Sequence, residues 1–135
     1  MNEPQVQSIV LDCQAFGLLL QQDRALTARV EAARRAGIVV RVSVLTIVEA
    51  AHGKTDIARL NWYLSRLRVE PALPNDSLAA VKLLRAAGGL HGHKYAIDAL
   101  VAAMALRAPG PALVLTSDRD DWNKLCGDRV VIRDV

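Results

Sequence analysis

Four acidic side chains interrupt stretches of sequence that are otherwise almost wholly apolar. Unpaired carboxylates cost free energy when they are buried, and a divalent cation is a partner that several of them can share. Oxygen ligands of this kind suit Mg²⁺ or Mn²⁺ rather than Zn²⁺. A cation held in this way can orient a phosphate, activate water and stabilise the leaving oxygen of a phosphodiester. The four acids are Asp12, Glu49, Asp98 and Asp118.

Two of these acids come directly after apolar runs that have the composition of β-strands. Asp12 follows residues 9–11, and Asp118 follows residues 113–117. Each could simply be the N-cap of the helix that comes next. In an open α/β sheet, however, ligands bind outside the carboxyl ends of the strands, and both acids are expected at such ends.

The other two acids are expected on helices. Glu49 is spaced by three residues from Thr46 and from His52, so the three could form a solvated stripe on a mostly buried helix. Asp98 interrupts residues 95–106, a helical pattern that is otherwise apolar on every side. An aspartate in that setting is expected to be buried or to lie at the edge of a site.

Short apolar runs alternate with helical patterns along the whole chain. This alternation predicts a three-layer α/β domain, built on a mainly parallel central sheet and extending over residues 1–135. Strands are predicted at residues 8–11, 37–42 and 112–116, with a short one at 67–72 and a last one at 129–133. One or two helices are predicted between the first two strands, covering 23–36. Further helices are predicted at 44–52, 55–66, 94–107 and 118–125. Another helix begins at residue 75 or 76 and ends at 87, and a loop follows it at 88–93.

The composition of the chain limits the functional classes to which the protein could belong. The 135 residues are 52% hydrophobic, enough for a sizeable core, but no apolar stretch approaches the roughly 20 residues of a membrane span. Residues 1–7 lack the charged region that opens a secretory signal, so a cytoplasmic protein is expected. Cys13 and Cys126 do not form a disulfide framework. The net charge of +3 favours a polyanionic partner, and the 4% of aromatic residues favours phosphate contacts over base stacking.

At this level of detail the sequence resembles the PIN-domain family, and within it the small VapC-like toxins of bacterial type II toxin–antitoxin systems. The resemblance extends over nearly the whole chain and rests on four motifs in the family's order. They are Ile9-Val-Leu-Asp12 with Ala15, Val44-Leu-Thr-Ile-Val-Glu49, Tyr95-Ala-Ile-Asp98 with Ala99 and Ala102-Ala103, and Leu113-Val-Leu-Thr-Ser-Asp-Arg-Asp-Asp-Trp122.

The resemblance implies a PIN-like α/β/α domain that acts as a Mg²⁺- or Mn²⁺-dependent endoribonuclease, is inhibited by a cognate antitoxin and forms a homodimer. It implies that the four acids are the catalytic metal ligands, with Asp121 a further candidate, and either Asp118 or Asp121 could be the closer ligand. Thr116 or Ser117 would hydrogen-bond a carboxylate or the attacking water. One departure from the family pattern is that Cys13 and Gln14 follow the first acid, where small hydroxyl residues are common.

Basic side chains near the third and fourth motifs are candidate RNA contacts. Lys94 precedes the Asp98 helix together with Lys82, Arg85, His91 and His93, and this group could guide a phosphate backbone or form a solvated basic surface. Arg119 and Lys124 are candidate substrate contacts in the last motif. The spacing His91-Gly-His93 suggests a metal site but offers no obvious third ligand. Trp62 and Tyr63 are expected at an interface with antitoxin or a second subunit.

Two other functional classes fit parts of the pattern. A non-catalytic PIN-like module would keep the fold as a scaffold for RNA or a protein partner. A phosphatase with a nucleophilic aspartate would commonly carry a second acid two residues after the first, and Gln14 occupies that position.

Overall fold

The computed structural model describes residues 6–135, so most of the stretch considered above for a secretory signal lies outside it. Within this range five strands form one sheet in the order β3-β2-β1-β4-β5, and every pair of neighbours is parallel. The predicted sheet was mainly parallel, and the described strands are entirely so. The strands are β1 (Ser8–Leu11), β2 (Val39–Ser43), β3 (Arg68–Glu70), β4 (Ala112–Thr116) and β5 (Val131–Asp134).

Helices connect the strands and cover both faces of the sheet. One face packs on α1, α2 and α4, with Phe16 and Leu26 at the centre of the core, and the other packs on α5, α6 and α7, with Met104. The predicted three-layer α/β/α class is therefore confirmed. The helices are α1 (Cys13–Leu20), α2 (Arg24–Arg35), α3 (Val44–Ala50), α4 (Ile57–Leu64), α5 (Pro74–Ala86), α6 (Gly92–Arg107) and α7 (Arg119–Cys126), followed by a 3₁₀ turn at Gly127–Arg129.

The register of the sheet aligns the ends of its three central strands. Leu11, the last residue of β1, lies opposite Val42 of β2 and Leu115 of β4. β1 ends at this level, whereas β2 and β4 each continue for one more residue, to Ser43 and Thr116, before the segment that opens the next helix. The sequence motifs at these strand ends therefore meet at a single edge of the sheet.

Two predicted boundaries were wrong because local capping overrides the hydrophobic pattern. β2 begins at Val39 and not at residue 37, since Gly37 has φ +77° and, with Ile38, still donates hydrogen bonds to the last turn of α2. α6 begins at Gly92, within the predicted loop 88–93. The Nδ1 atom of His91 accepts the backbone N–H of His93 at 3.1 Å and so caps this helix.

The described residues include no helix that combines the length and hydrophobicity needed to cross a membrane.

A buried ion-pair network, not predicted from the sequence, ties two strands to two helices. Arg41 of β2 donates to the Ser8 hydroxyl at 3.0 Å and to the Glu70 carboxylate of β3. Arg107 of α6 pairs with the other oxygen of Glu70 at 3.3 Å and with Asp76 of α5 at 2.9 Å. Burial alone would raise the pKa of Asp76, but hydrogen bonds from Arg107 and from the Leu73 N–H outweigh it and lower that pKa.

We expect Glu70→Ala to lower the free energy of unfolding by about 3 kcal/mol, because it leaves Arg41 buried without its charged partner. Glu31→Ala is the matched control. It removes a half-exposed carboxylate that pairs with Arg34 at 3.5 Å on the surface of α2, and should cost less than about 0.5 kcal/mol. Urea denaturation of both variants measures the difference, and equal losses would contradict a structural role for the network.

Candidate metal centre

A pocket of about 90 Å³ lies at the edge of the sheet where β1 and β4 end, with α3 and α6 beside it. This volume is large enough for a cation with a few water molecules. Five carboxylates line the pocket, and they come from four separate parts of the chain. They are Asp12, Glu49, Asp98, Asp118 and Asp121.

Asp12 is held by both of its carboxylate oxygens. One oxygen accepts the backbone N–H of Ala15 at 3.0 Å and caps α1, and the other accepts a hydrogen bond from the Thr116 hydroxyl. The Thr116 oxygen in turn accepts the backbone N–H of Asp118 at 2.8 Å. Asp12 therefore caps α1 and also lines the pocket. The sequence offered these two positions as alternatives, and one side chain occupies both. Thr116 joins the ends of β1 and β4.

Glu49 and Asp98 lie at the rim of the pocket, where their side chains are partly exposed and partly covered. Asp98 is therefore at the edge of a site and not buried, because the first two turns of α6 are mostly exposed while residues 101–105 are buried. The proposed solvated stripe around Glu49 was wrong. Thr46 is only 1% exposed, and His52 lies beyond the end of α3.

Asp118 and Asp121 lie one turn apart at the start of α7. Asp118 occupies the N-cap position, but among the described residues its side chain makes no capping hydrogen bond, and its carboxylate lines the pocket. Asp121 also lines the pocket and lies 3.9 Å from Nζ of Lys124. The structure brings both acids into the site, and the choice between them as the closer ligand stays open.

Burial and mutual repulsion raise the pKa of most of these acids. For Glu49, burial is the larger cause, followed by the charges of Asp98 and Asp12. For Asp98, burial again comes first, followed by Asp121, Asp118 and Asp12. The carboxylates therefore oppose one another's ionisation.

The two remaining shifts have the same leading cause. Burial raises the pKa of Asp12, and hydrogen bonds from Ala15 and Thr116 offset part of that rise. Burial and the neighbouring Asp118 carboxylate raise the pKa of Asp121, whereas Lys124 and Lys94 oppose the rise.

Cys13 contributes a thiol to the wall of the pocket. Burial raises its pKa, and the charges of Glu49, Asp12 and Asp98 raise it further. A raised pKa disfavours the thiolate as a metal ligand, so the carboxylate oxygens are the favoured donors for a cation.

This donor set fits Mg²⁺ or Mn²⁺ in its chemistry, and a divalent cation would relieve the repulsion that raises the pKa values. As the side chains stand, no three His, Cys, Asp or Glu residues between 6 and 135 converge closely enough to hold a metal ion. A cation would therefore have to draw the carboxylates together.

The basic candidates differ in their relation to the pocket. Lys94 is close enough to Asp121 to lower its pKa, whereas Arg119 turns towards β5 and pairs with Asp134 at 3.3 Å. Ser117 is exposed beside the buried Thr116. Lys82 and Arg85 lie exposed on α5.

The remaining candidates from the sequence also take different positions. His91 serves as the cap of α6, and its ring lies edge-on to that of His93 with the centroids 6.1 Å apart. Trp62 is 50% exposed, but Tyr63 is buried in the core, so the expectation of an interface position was wrong for Tyr63.

Sequence reasoning missed part of the lining. Val101, Trp122 and Leu125 form its apolar floor, and Thr46 contributes a hydroxyl. The only signal in the sequence was the spacing of Thr46 from Glu49, which places both on one side of α3.

Comparison with known proteins shows the fold. A chain of VapBC2 from Rickettsia felis, solved bound to a DNA fragment from the promoter, superposes with a TM-score of 0.74 over 95% of this chain and 98% of that one, at 14% identity. A chain of DNA-bound VapBC from Salmonella typhimurium gives 0.70 over 96% and 98%, at 17% identity. The fold is PIN-like.

A third structure agrees. A chain of VapBC-1 from nontypeable Haemophilus influenzae gives a TM-score of 0.63 over 94% of this chain and 97% of that one, at 18% identity. No family model matches the sequence, and no curated protein matches it. The PIN-like fold is thus shown by structural similarity at low sequence identity.

The raised pKa values predict how the metal-free protein responds to pH. Each raised carboxyl binds its proton more tightly in the folded than in the unfolded state, so the free energy of unfolding falls as pH rises through the raised pKa values. We expect Asp98→Asn to raise the metal-free unfolding midpoint at pH 7, on the order of 2 °C, with a smaller gain near about pH 4.

Asp128→Asn is the control, because Asp128 is exposed on the 3₁₀ turn and does not line the pocket. Its midpoint should match that of the parent protein at both pH values. Thermal melts followed by circular dichroism in EDTA measure these differences. A lower midpoint for Asp98→Asn at pH 7 would show that the carboxylates are not in repulsion.

Proposed function

We propose that this protein is a Mg²⁺- or Mn²⁺-dependent endoribonuclease and the toxin of a type II toxin–antitoxin system. The observation that carries the proposal is the pocket at the carboxyl edge of a parallel sheet, which is lined by five carboxylates, four of them with raised pKa values. The PIN-like fold, similar to chains of VapBC complexes, supports it.

The pocket would hold the cation through Asp12, Asp98 and Asp118, with Glu49 and Asp121 beside them. A bound cation supplies charge to orient a phosphate and to stabilise the leaving oxygen. Thr116 fixes the orientation of Asp12 and receives the N–H of Asp118, so it sets the distance between two of the ligands.

RNA is the substrate that the chain's chemistry favours. The net charge of +3 attracts a polyanion in spite of the acidic pocket, and Lys94 lies near Asp121 at the pocket edge. Lys94 would contact a substrate phosphate. Ser117, which is exposed next to Thr116, would also contact the substrate, whereas Arg119 would first have to leave Asp134.

A cognate antitoxin and a second copy of the chain are the proposed protein partners. Large apolar side chains are exposed on the helices after β2, where Val48 is 78% exposed, Ile57 63% and Trp62 50%. Exposed apolar groups of this size are typical of surfaces that bind protein. The similar structures are VapBC complexes, which supports an antitoxin as the partner.

Metal binding and cleavage test the enzymatic proposal. We expect purified protein, freed of any bound partner, to bind Mn²⁺ in calorimetry and to cleave RNA only when Mn²⁺ or Mg²⁺ is added. Asp98→Asn should abolish cleavage, because it removes a ligand charge at the rim while no hydrogen bond of the fold depends on that carboxylate among the described residues. Asp128→Asn should cleave RNA at the rate of the parent protein.

Two results would contradict this proposal. Absence of Mn²⁺ binding together with cleavage unaffected by Asp98→Asn would remove the metal site from the mechanism. RNA binding that needs no metal and is unchanged in Asp12→Ala would favour the non-catalytic PIN-like module.

Partner binding is tested with the protein encoded by the neighbouring reading frame. If that protein is the antitoxin, it should block cleavage, and Trp62→Ala should weaken the complex by about 30-fold, because exposed tryptophans commonly dominate interface energies. Leu78→Ala is the control, since Leu78 is 59% exposed on α5, in the opposite helical layer. If a binding titration shows that both variants weaken the complex equally, a special role for Trp62 is contradicted.

A further inference from the structure

One buried side chain in the wall of the pocket lacks a hydrogen-bond partner among residues 6–135. The Oγ1 atom of Thr46 is buried, and no hydrogen bond to it is found among residues 6–135. A buried hydroxyl without a partner costs free energy, and such groups are rare in folded proteins. Its position therefore calls for an explanation.

Within the described range, the Thr46 hydroxyl also lacks the partner that threonines in helices commonly use. Such threonines bond the carbonyl three or four residues earlier. Here those carbonyls belong to Ser43, the N-cap residue, and to Val42 in strand β2, and among the described residues Thr46 donates to neither. The cap of α3 is already made by Ser43, whose hydroxyl accepts the Leu45 N–H at 3.1 Å.

Thr46 lies in the wall of the pocket, so a polar ligand bound there would lie next to it. It lines the same pocket as the five carboxylates, and Glu49 is one helical turn further along α3. Thr116, the other buried threonine at this edge, is already committed to Asp12 and Asp118. Thr46 therefore holds an uncommitted hydroxyl beside the acids.

We infer that Thr46 is a positioning residue whose hydroxyl hydrogen-bonds the water shell of a divalent cation in this pocket. The inference rests on the proposed function, because it assumes that the carboxylates bind such a cation. Mg²⁺ and Mn²⁺ sites commonly retain water, which needs hydrogen-bond partners from the surrounding protein. Thr46 supplies such a hydrogen-bond partner on the side of the pocket formed by α3.

Thr46→Val tests the inference, because valine keeps the shape of threonine and removes only the hydroxyl. We expect the Mn²⁺ affinity measured by calorimetry to fall about tenfold. The unfolding midpoint in EDTA should be unchanged or raised, since no protein hydrogen bond is lost within the described residues. The Mn²⁺ concentration for half-maximal RNA cleavage should rise by a similar factor.

Two further variants make the comparison specific. Thr46→Ser restores the hydroxyl and should bind Mn²⁺ nearly as tightly as the parent protein. Thr27→Val removes the other buried hydroxyl that lacks a partner, which lies on α2 and does not line the pocket, and it should leave Mn²⁺ affinity unchanged.

The outcomes separate this inference from the proposed function. If the parent protein binds Mn²⁺ and Thr46→Val binds it equally well, the role of Thr46 is refuted and the metal site stands. If Thr46→Val lowers the midpoint in EDTA, the hydroxyl has a structural partner and the inference fails. If the parent protein does not bind Mn²⁺, both proposals fail together.

Discussion

The parallel pairing of β1 with its two neighbours is the constraint on which the site depends. Because Leu11 lies opposite both Val42 and Leu115, the three central strands end within one residue of one another, and the segments that follow them are brought together. These segments carry carboxylates, so the same register that completes the core also assembles like charges. Thr116 links two of the acidic residues, because its hydroxyl donates to Asp12 while its oxygen accepts the Asp118 N–H.

The chain surrounds its clustered acidic side chains in two different ways. In the network of Arg41, Glu70, Arg107 and Asp76, each buried acid has a guanidinium partner, and the pKa of Asp76 is lowered. At the pocket the acids face one another, and burial and repulsion raise their pKa values. Acids that are paired with guanidinium groups stabilise the fold. Acids that face one another instead favour the binding of a cation, which the protein itself does not provide.

Much of the fold and of the site could be predicted from the sequence. The bounds of β1 and β4 were correct because buried parallel strands are continuous apolar runs, and their terminal acids were correctly placed at one edge. The start of α6 was missed because it depends on a histidine cap. The network around Arg41 and the burial of Thr46 were missed because both depend on contacts between residues that are distant in sequence, which periodicity does not encode.

The double role of Asp12 has an evolutionary consequence. Its carboxylate caps α1 and also receives the Thr116 hydroxyl, so drift at this position is constrained by folding as well as by chemistry. Asp98 carries no such structural duty within the described residues. A lineage that lost the proposed nuclease activity but kept the domain should therefore change position 98 first and retain a hydrogen-bond acceptor at position 12 for longer.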